Sequence, residues 1–475
     1  MLKDKKRLEQ QSHLVSRAAE MLHDSLCTLG AQVSKTVCED AAVLVIKAMS
    51  TRNRSFHDMN HAFDVANIPY PIGKIAGLFH DVVYIQVDRS RLPELRKNFT
   101  IFDPGDGTTL KIPGIDILLK DSWAMALVDV FGLTPHQEVG PFSGINEFLS
   151  AWVTIVKLRD HLAAWPLLQI VTCIEATIPF RGPNQFGQTP SEILFSRLSS
   201  AATKMGLSPS EKDLDYTIKV AVSMSNQDVY GFGSERPSYF IGNSWALLAE
   251  GNPPLQNTLF TAQDFREAIY KMYKFFSMLS VDKVFRSYKG FPNPGKYATL
   301  TTKAKNNISV GVQYLGVHLV EKTLLDVLAQ MTGGHSPYEN WMGDRPKERD
   351  AKPHRAENFL DTSVPEVSPK NWNKDVLGLM EDGREVRSSF DTQTFLTGAY
   401  LYRRSTREEM ENYISSAIEL IEGKLTGQQF LDLFKPEVLR ALICAYSKVA
   451  WTRREALEQI ANSIVTKPTP KKKAA

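Results

Sequence analysis

The stretch Arg54–Tyr84, RSFHDMNHAFDVANIPYPIGKIAGLFHDVVY, constrains this chain more than any other. His57 and His61 stand four apart, which on a helix sets their side chains about 40° apart on one face. His80 follows nineteen residues after His61 and is joined at once by Asp81. The run Ile75–Phe79 precedes that doublet and Val82-Val83-Tyr84 follows it, an apolar wall on either side. Two imidazoles on one helix and an imidazole–carboxylate pair on the next can converge on a hard-to-borderline divalent cation. Ten histidines in 475 residues would put about half a histidine in a window the size of His57–His80, which holds three. Taken singly, each is more simply a surface polar or a satisfied core histidine. Taken together with an ionised Asp81 among Leu78, Phe79, Val82 and Val83, they argue for a metal, because such a carboxylate is costly unless a cation offsets it.

The segment resembles the HD superfamily of metal-dependent phosphohydrolases, whose signature is a histidine, a later His-Asp doublet and a distant aspartate. It is most similar to members that read R-x-x-H-N-x-x-H and then A-x-x-F-H-D-x-x-Y. Those elements stand here as Arg54, His57 and His61, then Ala76-Gly77-Leu78-Phe79-His80-Asp81-Val82-Val83-Tyr84; Asp58 takes the place of the usual Asn. The distant aspartate is expected at Asp228, near the end of the helical stretch KVAVSMSNQDVYGFG. With Asn226 and Phe232 it is similar to the N-x-D-x-x-x-F run that closes the site in such proteins. On its own Asp228 serves equally well as a helix-end aspartate, and Asp213 and Asp215 in SEKDLD are poorer alternatives.

The resemblance implies an all-α HD-type bundle with His61, His80, Asp81 and Asp228 as metal ligands. Imidazoles with carboxylates suit Mn, Fe, Zn, Co or Ni, and Mg less well because of the nitrogen content. Such a set leaves positions open for water and a phosphoryl oxygen. His57 is expected as a proton donor or phosphate contact rather than a further ligand, with Asp81 the central carboxylate of the catalytic group. Glu175, an acid in an otherwise apolar helix, reads equally as a ligand or general base and as an ion-pair partner of Arg181. Arg54, Lys74 and Arg181 are candidate phosphate contacts, and Lys74 and Arg181 read equally as solvated cations. Asp88 is a candidate support behind the ligands. Related HD proteins often carry a further His after an Ala-Thr pair; here Thr177 leads into Ile178-Pro179-Phe180-Arg181, so one metal or two stays open.

Composition excludes more than it assigns. A net charge of +3, with 43% hydrophobic and 23% charged residues, gives no warrant for nucleic-acid or membrane binding as the main activity. The four cysteines have no CxxC spacing and read as reduced thiols of a cytoplasmic protein. No run of 18 apolar residues occurs, and the charged MLKDKKRLEQQSH is no secretory signal. Helices are expected over about 6–29 and 34–50, at His57/His61, over Lys74–Tyr84, and again from 145 to 181. Residues 89–145 read as an insertion over or beside the site, a lid or a substrate-selecting element, with a hairpin about the Asp-Pro-Gly-Asp-Gly turn; His136 within it reads as a surface residue. The expected organisation is a catalytic domain over 1–330 with its core at about 40–240, a Pro-rich crossing segment over 331–392, a helical subdomain over 393–464 and a basic tail over 465–475. His318 reads as structural, and Lys289-Gly290-Phe291-Pro292-Asn293-Pro294-Gly295-Lys296 is no P-loop. The expected activity is hydrolysis of a phosphoester or phosphoanhydride in a small phosphorylated molecule, a nucleotide by preference. The alternative is a non-catalytic metal- or nucleotide-binding regulator on the same scaffold, and an oligomer is compatible with either.

Overall fold

The computed structural model describes residues 2–88, 95, 97–105, 107–257, 259–343, 354–388 and 390–464. The protein is all-α, with one two-stranded sheet among the described residues. It divides into two compact units, 1–234 with 279–305, and 235–278 with 306–475. The division falls at 234 and 305, not at the expected 330. Helical periodicity identifies helices, but it does not say which of them share a core.

The first unit contains α1 (Leu2–Thr28), α2 (Lys35–Met49), α3 (Met59–Val65), α4 (Pro71–Phe79), β1 (Leu110–Lys111), α5 (Ser122–Phe131), β2 (Glu138–Val139), α6 (Ile145–Leu158), α7 (Ala164–Ala176), α8 (Pro190–Lys204) and α9 (Glu211–Asp228). Its centre is α4. Pro71 opens that helix at a position where no amide donor is needed. Ile72, Ile75, Ala76, Leu78 and Phe79 are buried, and α4 packs on α1, α3, α6, α7 and α9. Gly77 is required by contact: a Cβ there would lie 2.7 Å from the backbone N and Cα of Ala66. The missing side chain lets the end of α3 lie against the helix that carries His80.

Three local expectations are corrected here. The His57/His61 pair does not share a helix, because Asp58 N-caps α3, accepting from Asn60 N at 2.8 Å and His61 N at 3.2 Å. The helix of the His-Asp doublet stops at Phe79, with His80 as its C-cap, rather than running to Tyr84. The hairpin about Asp103–Gly107 does not form: β1 pairs antiparallel with β2, across α5, with Leu110 opposite Val139. Position 106 of that turn lies outside the described residues. Nor do the described residues of 89–145 form a separate lid, since Phe99, Phe102, Leu110, Leu127 and Val139 are buried in the same core as α4. His136 is exposed.

The second unit contains α10 (Pro237–Glu250), α11 (Ala262–Met278), α13 (Lys374–Glu381), α14 (Leu396–Arg404), α15 (Arg407–Ile421), α16 (Pro436–Val449) and α17 (Arg454–Ser463). The long α12 (Pro294–Met331) belongs to the first unit up to Lys305 and to the second from Asn306. Buried charge organises this unit. The Lys322 ammonium is 2.6 Å from Glu321 and lies over the rings of Phe265, Tyr338 and Phe395, and the Tyr446 hydroxyl donates to Glu321 at 2.6 Å. His318 is buried with α12, as expected of a structural histidine.

The described residues of 331–392 are not the loose crossing the segment's proline content suggests. Tyr338, Trp341, Ala356, Met380 and Arg384 are buried, and the Arg384 guanidinium donates to the Tyr314 hydroxyl at 2.6 Å. Packing of these large side chains outweighs the disorder-prone composition around them. Residues 344–353 and the basic tail 465–475 lie outside the described residues. No helix among the described residues is long and apolar enough to cross a membrane.

The contact at Gly77 gives a first prediction. Gly77→Ala should lower the unfolding free energy by about 1–3 kcal/mol, the usual cost of overpacking, because the added methyl meets backbone that cannot rotate away. Urea unfolding of the two proteins checks it; an unchanged midpoint would show that α3 and α4 need no such close approach.

Candidate metal centre

Four side chains meet at the C-terminal ends of α4 and α9. His61 comes from the first turn of α3, His80 and Asp81 from the residues just after α4, and Asp228 from the last residue of α9. One ligand atom from each lies within 4.8 Å of every other. His61 Nε2 is 3.0 Å from Asp228 Oδ1 and 3.4 Å from Asp81 Oδ2; His80 Nε2 is 2.9 Å from Asp81 Oδ2 and 3.5 Å from Asp228 Oδ1. Both Nε2 atoms are buried, yet neither meets hydrogen-bond geometry with any described group. When the rings are neutral, as metal ligands must be, these nitrogens offer lone pairs beside the two carboxylates.

The backbone around the ligands fixes them. His80 Nδ1 is 2.9 Å from the carbonyl of Gly77 and donates to it, so when the ring gives up its other proton it is Nε2 that carries the lone pair. Beyond Asp81 the chain leaves the helix, and α6 satisfies its amides: Ser150 Oγ accepts from Val83 N and Asn146 Oδ1 from Ile85 N, each at 3.0 Å. Asp88 accepts from Tyr84 N at 3.2 Å.

Arg54 is placed otherwise than expected. It is 5% exposed, and its guanidinium is committed to Asp88 and to the carbonyls of Asp81 (2.6 Å) and His57 (3.2 Å). With those donors committed it cannot reach a substrate phosphate; it braces two residues of the site. Asp88, expected only as a support, is the other half of that brace. His57 lies on the rim, one-fifth exposed, with Nε2 4.0 Å from Asp81 and its ring edge-on to Tyr84.

Glu175 is held in the ion pair that was one of its two expected roles. Arg181 clasps it with two donors at 2.6 and 3.0 Å, and Arg197 approaches at 3.4 Å. Burial raises its carboxyl, but Arg181, Arg286 and Arg197 outweigh that and hold it below the usual range. A carboxylate so clamped has no free lone pair for base catalysis. Lys74 lies on α4 six residues before His80, about 120° around the helix from it, and has no ion-pair partner among the described residues. Asp213 caps its own helix through Ser210, and Asp215 binds Tyr288 and Lys289; neither joins the cluster.

Two residues at the site carry no sequence motif. Glu147, on the first turn of α6, is pushed up to about 7 by burial and by the charges of Asp81 and Asp228, with Arg181 opposing. Arg286 is brought to the end of α9 by Asn226, whose side chain bonds both the amide (2.7 Å) and the carbonyl (2.9 Å) of Arg286. No spacing rule reaches Arg286, which lies 58 residues beyond Asp228; only the unusual position of a cation in VFRS hints at it.

Without a cation the four ligands titrate as a set. Burial lowers His61, but the carboxylates of Asp228 and Asp81 outweigh it and lift the imidazole to about 9; His80 is raised in the same way. Burial likewise raises the two carboxyls, yet the imidazoles hold Asp228 at about 2 and Asp81 well below the usual range. The cluster therefore stores protons that a metal must displace. Compared with protein-family models, with curated proteins and with solved structures, the chain matches none.

Two predictions follow from the electrostatics. Both imidazoles are protonated in the metal-free protein at pH 7, so binding of Zn²⁺ or Mn²⁺ should release close to two protons, and affinity should rise with pH up to about 9. Titration calorimetry in buffers of different ionisation enthalpy reads the protons directly; none released would contradict the ligand set. For Glu147 the folded state holds its proton more tightly than the unfolded chain, so this group's contribution to stability is lost as pH rises from about 4.5 through about 7. Glu147→Gln should therefore melt near the parent temperature at pH 4 and above it at pH 8, measured without metal.

Proposed function

We propose that the protein is a metal-dependent phosphohydrolase of the HD type, cleaving a phosphoester or phosphoanhydride in a small phosphorylated molecule, a nucleotide by preference. The observation that carries this reading is the meeting of His61, His80, Asp81 and Asp228, with two buried imidazole nitrogens left without a hydrogen bond. Neutral nitrogen with carboxylate oxygen suits Mn, Fe, Zn, Co or Ni better than Mg. A cation held there would lower the pKa of a coordinated water toward neutrality and offset charge building on phosphorus.

The residues of the chain do the rest. Asp81 and Asp228 supply the negative charge that holds the cation, and Gly77 keeps His80 in the ligating tautomer. His57, on the rim 4.0 Å from Asp81, is the group positioned to contact a phosphate or to give a proton to the departing oxygen. Glu147, whose carboxyl holds its proton near neutrality, is a second proton donor on the opposite element.

The test is metal analysis of the purified chain together with a panel of phosphomonoesters, phosphodiesters and nucleoside di- and triphosphates. Turnover should require the metal, and His80→Ala and Asp81→Ala should each lower kcat/KM by about a thousandfold, the loss of several kcal/mol of transition-state stabilisation. Metal-dependent binding of a nucleotide without turnover would replace the enzyme by a regulator, and an absence of bound metal would remove both readings.

A further inference from the structure

A second cluster, of opposite charge, adjoins the metal centre. Three guanidiniums, Arg181, Arg197 and Arg286, surround the single buried carboxylate Glu175. Arg286 is 8% exposed, and of its two terminal nitrogens only Nη2 is satisfied, by the carbonyl of Ile178 at 2.6 Å. Nη1 is buried and has no partner among the described residues, and neither does Nε of Arg181. A buried, unpartnered donor on a cation is costly, and here two stand together on like charges. Burial and the Arg181 charge lower Arg286 to about 9, while Asp228 and Glu175 oppose them, so Arg286 lies within electrostatic reach of both the basic cluster and a metal ligand.

The backbone is arranged to keep that donor in place. Asn226, two residues before Asp228 on α9, bonds both the amide and the carbonyl of Arg286. The loop after α7 is held in an uncommon conformation, with Phe180 at φ 58° and its ring edge-on to Phe232. That strained residue turns Arg181 back over Glu175.

We infer that Arg286 and Arg181 form an oxyanion subsite that takes the phosphoryl oxygens of the substrate beside the metal centre. The inference rests on the phosphohydrolase reading and deepens it: the metal side holds the cation, and the arginine side holds the anion. Each guanidinium keeps one donor nitrogen uncommitted, Nη1 of Arg286 and Nε of Arg181, and a tetrahedral oxyanion can accept from both. Three cations to one carboxylate leave charge for a dianionic phosphate rather than for a neutral ligand.

The test is binding of inorganic orthophosphate to the full chain by titration calorimetry, in EDTA and again with Zn²⁺ present. Arg286→Gln should weaken orthophosphate by about ten- to a hundredfold, the worth of hydrogen bonds to a charged partner, while Zn²⁺ stoichiometry is unchanged. Equal phosphate affinity in the folded variant, or no binding by the unaltered chain, overturns the subsite. Should the variant not fold, crystals of the unaltered chain soaked in orthophosphate decide: phosphorus density within hydrogen-bond reach of Arg286 Nη1 supports it, and density elsewhere only, or none, overturns it. The two readings separate cleanly. Arg286-dependent phosphate binding with no phosphoester turnover keeps the subsite and removes the hydrolase; turnover with phosphate affinity indifferent to Arg286 does the reverse.

Discussion

The buried pair of Arg54 and Asp88 is the interaction on which the rest of the metal centre depends. Both side chains are almost wholly out of solvent, so each charge is tolerable only because the other is there. The remaining donors of Arg54 reach the carbonyls of His57 and Asp81, which belong to two separate segments of chain. One guanidinium thus ties the loop before α3 to the turn after α4. Breaking a buried pair of this kind costs about 3–5 kcal/mol, and here the loss would also release the backbone of a metal ligand.

A second layer of support comes from α6. Asn146 and Ser150 stand four residues apart, one turn of helix, and both accept amides from the irregular stretch after Asp81. Glu147 sits between them in sequence. The helix that steadies the ligand turn therefore also carries the carboxyl whose proton is held near neutrality by burial and, beside it, by the charges of Asp81 and Asp228. Position and electrostatics are coupled through one rigid element, which is how a cluster of side chains is held to a close tolerance.

How much of this was legible in the residues varies by element for physical reasons. The helical class follows from periodicity, and the convergence of His61, His80, Asp81 and Asp228 was anticipated from motif spacing together with an expensive buried carboxylate. The local helix boundaries were misread because capping chemistry overrides apolar periodicity: Asp58 starts α3 one residue after His57, and the side chain of His80 ends α4. Arg54 was taken for a phosphate contact because a motif records that a cation is present, not which way its donors turn. Arg286 and Glu147 escaped notice because they reach the site through tertiary packing, by way of Asn226 and α6. The Pro-rich 331–392 stretch was judged by composition, whereas Trp341 and Arg384 are buried by partners far away in sequence.

The ligands are spread unevenly along the chain, and that has a consequence for synthesis. His61, His80 and Asp81 are translated early, but Asp228 follows almost 150 residues later. A nascent chain that has emerged only as far as α8 holds two imidazoles and one carboxylate against a single core and cannot close around an ion. The centre is completed only when α9 docks, a contact of long sequence separation and hence of late formation. A four-residue cation site of this kind can therefore close only once the chain has been made beyond Asp228, about halfway along its 475 residues, rather than act as a nucleus around which the first helices assemble.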